Sequence, residues 1–214
     1  MQNSKTTKRV ITLSLAALMS CGLLFAGGCK SEENNGDKKA GNNGNYSIVS
    51  SLKELLSAES FTVSKENSVI FQYENAKAYW NRNGDEYYFS AESGGKKWVY
   101  SRDFKADEWV KEAFSDYEYV RYLYMYRNGL GIEESLMDVI DLICMDFDSC
   151  MTEIDGKFTL KQEFREELKC WVSNDTLKFE YEDTIYSIYD INNSKVSVSD
   201  NVKQNAKVGE VDLP

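Results

Sequence analysis

The segment AKAYWNRNGDEYYFSA, residues 76–91, decides how the middle of this chain folds. Asn83-Gly84 lies between two runs of residues that are rich in Tyr, Trp and Phe. An Asn-Gly pair in this setting is the strongest short-range signal for a β-hairpin with a two-residue turn. The flanking runs are therefore predicted to be antiparallel strands.

Strand signals continue on both sides of this hairpin. Apolar residues alternate at Phe61/Val63 and again at Val69/Phe71/Tyr73, and a Ser-Gly-Gly turn at 93–95 precedes KKWVYS at 96–101. Such alternation is typical of strands with one buried face. Between Phe61 and Val110 the sequence predicts five or six short antiparallel strands joined by tight turns.

Helical periodicity flanks the strands. Apolar residues from 46 to 57 recur at helical spacing, and residues 116–147 show two further apolar stripes, interrupted at Gly129 and Gly131. A third helix is predicted over 161–172. Asp155-Gly156 indicates another hairpin, and three strands are predicted near the end, around 177–181, 185–189 and 196–198.

These elements predict an α+β fold in which helices cover a curved antiparallel β-sheet. The alternating strands must bury one face, and the apolar stripe of the 132–147 helix must also be buried. Packing the two against each other satisfies both requirements.

The N-terminus predicts export from the cytoplasm. Residues 1–28 form a leader with Lys5, Lys8 and Arg9 before an apolar run from Val10 to Gly28. Residues 29–45 are polar and rich in Gly and Asn, as expected for a flexible tether. We expect a single domain over 46–205, and a tail at 206–214 that frays.

The junction Ala26-Gly27-Gly28-Cys29 resembles the lipobox of bacterial lipoproteins. This resemblance implies that Cys29 is acylated, palmitate being a typical chain, and becomes the first mature residue, anchored to the outer surface of the cell membrane. Cys21 is a rival position, but cleavage there would leave the apolar GLLFAGG exposed. An uncleaved membrane anchor and ordinary secretion remain the alternatives, since the 19-residue run of Val10–Gly28 is long enough to span a bilayer.

The order of elements behind this leader resembles the LolA/LppX-like group of bacterial envelope lipoproteins. The similar segments are SLKELLSAESFTV at 51–63, the hairpin segments GDEYYFSA and KKWVYS, and TLKFEYEDTIYSIYDIN at 176–192. The resemblance implies a half-barrel whose concave side is plugged by helices, with a gap that holds a lipid acyl chain. It implies no catalytic residue.

A lipid or another hydrophobic molecule is thus the expected ligand, because aromatic side chains offer flat apolar faces with a polar tip. The candidate lining residues, assigned by strand parity, are Val63, Phe71, Tyr73, Trp98 and Tyr100. The alternative is a tethered protein-interaction or adhesion module with a filled core and no ligand cavity.

Composition argues against other classes of protein. Without His the chain lacks the Ser-His-Asp and Cys-His pairs of nucleophilic enzymes and every His-containing zinc site. A net charge of −10 disfavours nucleic acid as a partner. We predict no enzymatic activity, no metal and no cofactor; a hydrolase using two carboxylates distant in sequence is the remaining enzymatic hypothesis.

Three cysteines, Cys144, Cys150 and Cys170, follow the tether. Outside the cytoplasm two of them would pair, either Cys144 with Cys150 or Cys150 with Cys170, and leave one unpaired. Free buried thiols are an equally good interpretation.

Overall fold

The structure, a computed structural model, describes residues 43–92, 95–106, 108–133, 135–161 and 168–214. The leader, Cys29, most of the tether and the Ser93-Gly94 turn lie outside the described residues. The helices are α1 (Asn43–Ser57), α2 (Asp116–Asn128), α3 (Leu136–Met145), α4 (Phe147–Cys150) and α5 (Asp200–Asn205). The strands are β1 (Ser60–Lys65), β2 (Ser68–Glu74), β3 (Lys77–Arg82), β4 (Asp85–Ala91), β5 (Lys97–Arg102), β6 (Val110–Phe114), β7 (Met151–Ile154), β8 (Lys157–Leu160), β9 (Lys169–Ser173), β10 (Thr176–Tyr181), β11 (Thr184–Tyr189) and β12 (Lys207–Val208).

All strands of the described chain belong to one open sheet. Their order is β12-β6-β5-β4-β3-β2-β1-β11-β10-β9-β8-β7. Neighbouring strands run antiparallel, except that β12 pairs with β6 in parallel. The predicted α+β class with a large antiparallel sheet is confirmed.

The hairpin that the sequence predicts at Asn83-Gly84 joins β3 to β4. The ladder closes with Arg82 opposite Asp85, and both turn residues have positive φ, 55° and 100°. Positive φ at both central positions defines the type I′ turn, whose twist matches that of the flanking strands. Asp155-Gly156 forms the equivalent turn between β7 and β8, with φ values of 52° and 76°. Both predicted hairpins are confirmed.

Helices α1, α2 and α3 cover one face of the sheet, which we call the inner face. Leu52 of α1, Tyr119 of α2 and Ile140 of α3 are fully buried in the same apolar core as Phe61 and Phe89 of the strands. Each helix therefore buries its apolar stripe against the alternating strand residues, as the periodicity predicts.

A capping box fixes the start of α2. The Ser115 hydroxyl accepts a hydrogen bond from the Glu118 backbone N–H at 3.3 Å, and the Glu118 carboxylate accepts one from the Ser115 N–H, also at 3.3 Å. These bonds satisfy backbone donors that the first helical turn leaves without partners. The Ser115 hydroxyl also donates to the Glu118 carboxylate at 2.6 Å, and this bond, helped by the one from the Ser115 N–H, lowers the pKa of the Glu118 carboxyl.

The helix predicted over 161–172 is wrong where the structure describes it. Residues 169–173 form β9, while 162–167 lie outside the described part. Cys170 is fully buried and pairs with Phe158 on one side and Phe179 on the other. Pairing with two neighbouring strands outweighs a local helical pattern, because each pairing adds backbone hydrogen bonds and side-chain contacts.

The last of the three strands predicted near the C-terminus, at 196–198, is also absent from the described sheet. Residues 190–214 instead form what we call the C-terminal strap, which first crosses the outer face of the sheet. There the Ser194 and Thr62 hydroxyls are hydrogen-bonded at 2.8 Å, and the Val196 N–H donates to the Glu74 carboxylate at 2.8 Å. The latter bond is the main reason that the pKa of Glu74 is lowered.

The strap then passes round the β6 edge, and its end does not fray as the sequence predicted. β12 pairs with β6, and Val211 is buried in the main core beneath the inner face. The tail is therefore ordered by contacts with distant residues, which no local sequence pattern predicts. At the other end of the domain, α1 begins at Asn43, inside the segment 29–45 that was predicted to be tether.

Candidate ligand cavity at one end of the sheet

A cavity of about 530 Å³ opens at the end of the sheet where β1 and β3 terminate. We call it the mouth cavity. Its walls come from the ends of β1, β2, β3 and β11, the last turn of α2, the α2–α3 loop and the end of the C-terminal strap. A volume of this size lies in the range that small-molecule sites occupy.

Aromatic side chains form the floor of the mouth cavity. Trp80 of β3 and Tyr126 of α2 are both buried, with ring centroids 4.3 Å apart. The Trp80 indole Nε1 donates a hydrogen bond to the Gly131 carbonyl at 3.3 Å. These contacts fix the floor before any ligand arrives, so little ordering entropy is lost on binding. Ile70, Met125 and Ile132 add half-buried apolar surface around the rings.

The α2–α3 loop closes over the floor because Gly131 lacks a side chain. Its φ is +68°, and a Cβ on this residue would lie 2.6 Å from Cβ of Phe71. This approach brings Ile132 and Glu133 to the rim of the cavity. Glycine is thus required here both by backbone conformation and by space.

Two cationic side chains, Lys65 and Arg82, lie at the rim, and both are exposed. The Arg82 guanidinium lies over the Trp80 ring, 5.5 Å from its centroid, which holds it beside the aromatic floor. Within the described residues no carboxylate forms an ion pair with either cation. Glu133, on the α2–α3 loop, supplies a negative charge to the lining of the same cavity.

The C-terminal strap ends in the same cavity. The Val211 N–H donates to the Glu112 carboxylate at 2.8 Å, and Leu213 packs half-buried against the core. The Tyr126 hydroxyl donates to a main-chain oxygen of Pro214 at 3.1 Å. Burial raises the pKa of Tyr126, so this hydroxyl stays protonated and remains a donor at physiological pH.

The residues predicted to line a cavity do not come together. Val63 and Phe71 are fully buried in the packed core, and Tyr73 packs against Phe61 with ring centroids 5.6 Å apart. Trp98 and Tyr100 lie on the outer face, in a small apolar cluster with Val198 of the strap. Their assignment to the same face as Val63 is corrected by the structure, since Val99 is the core-facing residue of β5.

The residues that do surround the mouth cavity were not predicted from the sequence. Trp80 and Arg82 lie two residues apart on β3, directly before the Asn83-Gly84 turn, so they share a strand face near a strand end. Their spacing in the sequence could have predicted that these two side chains lie together. Nothing in the sequence, however, brings Tyr126 or the end of the strap to the same place.

The described residues offer little for covalent or metal chemistry. No group of three or more Cys, Asp or Glu side chains in the described part is placed to hold a metal ion. Cys144, Cys150 and Cys170 are free thiols, and burial raises the pKa of Cys170 to about 12. A thiol with such a pKa is protonated at neutral pH and is a poor nucleophile.

Comparison with protein-family models, with curated proteins and with solved structures gives no match for this chain. In the part of the chain that the structure describes, no helix combines the length and apolar character needed to cross a membrane.

Proposed function

We propose that this chain is a lipid-anchored, extracytoplasmic, non-enzymatic binding protein, with a LolA/LppX-like half-barrel that takes a hydrophobic ligand in the mouth cavity. The observation that carries this proposal is the cavity itself. Its floor of Trp80 and Tyr126 is apolar, preformed and open to solvent at the rim. An apolar floor below a rim of polar and charged groups suits a ligand that has an apolar part and a polar part.

The fold supports this assignment at the level of architecture. An open antiparallel sheet with helices on its inner face is the arrangement that the LolA/LppX-like resemblance implies. The interior differs from the expected gap, because Phe71, Phe89 and Tyr119 fill the space between sheet and helices. We therefore place the ligand at the mouth of the half-barrel rather than along its axis.

The filled interior favours a second candidate, the tethered protein-interaction module. Exposed apolar residues on α2, namely Tyr117, Val120 and Tyr124, recur at helical spacing and are 75%, 55% and 60% exposed. Such a stripe is typical of surfaces that dock partners. Pull-down from envelope fractions separates the two candidates: a stoichiometric protein without bound lipid favours the interaction module.

Membrane anchoring is tested at the lipobox. Cys29→Ser should shift the protein from the membrane fraction to the soluble extracytoplasmic fraction and abolish labelling by a clickable palmitate analogue. The reason is that two acyl chains give stable anchoring, whereas the polar tether and acidic domain give little membrane affinity of their own.

Cys21→Ser is the matched control and should leave both localisation and labelling unchanged. Release and loss of label by Cys21→Ser instead would move the anchor to Cys21. Retention of both variants in the membrane without acylation would indicate an uncleaved leader.

Ligand binding is tested with full-length Cys29→Ser protein, in which no attached acyl chain competes for the cavity. We expect saturable binding of a fluorescent fatty acid. Trp80→Phe should weaken that binding about two- to tenfold, because an aromatic contact contributes about 0.5–1.5 kcal/mol.

Trp171→Phe is the control, since Trp171 lies on β9 beneath the Lys157 ammonium, 4.4 Å from it and away from the mouth. It should bind as the parent does. No saturable uptake by the parent, together with no lipid in an organic extract analysed by mass spectrometry, would remove the binding function and leave the interaction module.

A further inference from the structure

Lys65 and Arg82 sit at equivalent places in the sheet. β1 ends at Lys65 and β3 ends at Arg82, and these two strands run in the same direction on either side of β2. Neighbouring strands are about 4.8 Å apart, so the two backbone positions are separated by roughly 10 Å. Side chains as long as Lys and Arg can both reach a group lying between these strand ends.

The position of Arg82 is set by contacts inside the cavity. Its guanidinium lies over the Trp80 ring at 5.5 Å. Its positive charge is also close enough to Tyr126 to lower the pKa of that residue, which partly opposes the increase that burial causes. Arg82 therefore lies at the rim beside the aromatic floor, where the polar end of a ligand would lie, and five N–H donors are available in a fixed planar array.

The rim carries two positive side chains, although the net charge of the whole molecule is negative. The chain carries a net charge of −10, yet both rim cations lack a carboxylate partner among the described ion pairs. Elsewhere, Lys157 and Lys169 share Glu180, and Lys195 and Lys77 meet Glu74. Glu133, on the α2–α3 loop, is the only carboxylate side chain among the described lining residues, against two cationic ones.

We infer that the ligand of the mouth cavity is an amphipathic anion, an alkyl chain bearing one anionic head group that Lys65 and Arg82 bind at the rim. This inference rests on the proposed binding function and adds the class of ligand. The alkyl chain contacts Trp80 and Tyr126, and the head group accepts charge-assisted hydrogen bonds from the two cations. Because the net negative charge of the protein repels anions, selectivity for an anionic ligand has to come from Lys65 and Arg82 at the rim.

The test compares ligands that differ only in the head group. Decanoate, decyl phosphate, decanol and decylammonium are titrated calorimetrically into full-length Cys29→Ser protein, below their micellar concentrations. We expect both anions to bind about tenfold or more tighter than decanol, as a charge-assisted hydrogen bond allows, and decylammonium to bind weakest. The ratio of decanoate to decyl phosphate distinguishes a carboxylate from a phosphate head group.

Charge variants locate the selectivity. Arg82→Glu and Lys65→Glu should each remove the preference for anions over decanol, and Arg82→Gln should remove part of it. Lys96→Glu makes the same change in net charge at an exposed position in the β4–β5 connection and should bind as the parent does. Unchanged circular dichroism spectra and thermal midpoints show that these exposed positions tolerate the changes.

Equal affinity of the parent for decanoate and decanol would overturn the anion inference and leave the binding function standing. Binding of none of the four ligands would overturn both. An equal loss of anion preference in Lys96→Glu and Arg82→Glu would trace the effect to net charge and overturn the assignment of the rim cations.

Discussion

Phe89→Ala should lower the free energy of unfolding by about 3–5 kcal/mol, the range found when a buried Phe is truncated to Ala. Phe89 is fully buried on β4, near the middle of the sheet. Its ring contacts Tyr119 and Tyr126 of α2, with centroids 5.7 Å away in both cases. Truncation therefore removes apolar burial and leaves a cavity where α2 packs on the sheet. Urea unfolding of Cys29→Ser protein, followed by fluorescence and circular dichroism, measures the change.

Tyr117→Ala is the control for this prediction. Tyr117 lies on the exposed side of α2 and is 75% exposed. Its replacement should alter the free energy of unfolding by no more than about 0.5 kcal/mol, as for most surface positions. A loss below about 1 kcal/mol for Phe89→Ala would mean that the ring is not part of a close-packed core.

Gly131→Ala should destabilise the protein through two effects that can be separated. The left-handed backbone conformation, with φ of +68°, costs an Ala residue about 1–2 kcal/mol. The new Cβ would also lie 2.6 Å from Cβ of Phe71, and relieving such an overlap in a packed core costs typically about 1–3 kcal/mol. Both the midpoint and the slope of urea unfolding should be recorded, since the slope shows whether the folded state stays compact.

Gly156→Ala isolates the first effect. Gly156 has a similar φ of +76°, but nothing lies within 4 Å of the position its Cβ would take. The difference between the two variants therefore measures the overlap with Phe71. Equal losses in both would show that the α2–α3 loop moves away without cost, and the mouth cavity would then lack a rigid wall.

Local signals in the sequence were sufficient for most of the elements. The Asn83-Gly84 and Asp155-Gly156 turns impose positive φ at two successive residues, which few dipeptides accept readily, so both hairpins were predictable. The apolar stripe of α2 likewise predicted a helix that packs by Tyr119 and Leu123. Such features depend on neighbours in sequence, and the same physical constraints act before the chain folds.

Residues that depend on distant partners were mispredicted. In β9, Cys170 lies between Phe158 of β8 and Phe179 of β10. The helical pattern of 161–172 does not indicate that this segment pairs with those two strands. Trp98 and Tyr100 follow strand parity, but parity fixes only that they share a face and lie opposite Val99. Both faces of the sheet are covered at β5, because the strap brings Val198 onto the outer one.

The candidate site was the least predictable part. Trp80 and Arg82 are close in sequence, whereas Tyr126 comes from a helix and Lys65 from the end of another strand. Only the strand order and the close approach permitted by Gly131 bring these residues around one cavity.

The sequence by itself determined the two hairpins and a helix in the region of Asp116–Asn128. These follow from turn chemistry and apolar periodicity, which are local. Tertiary structure alone decided which sheet face carries each aromatic residue, where the C-terminal strap lies, and that Trp80, Tyr126, Lys65 and Arg82 share a cavity. Those outcomes require burial and pairing between residues far apart in the chain, and no short segment contains that information.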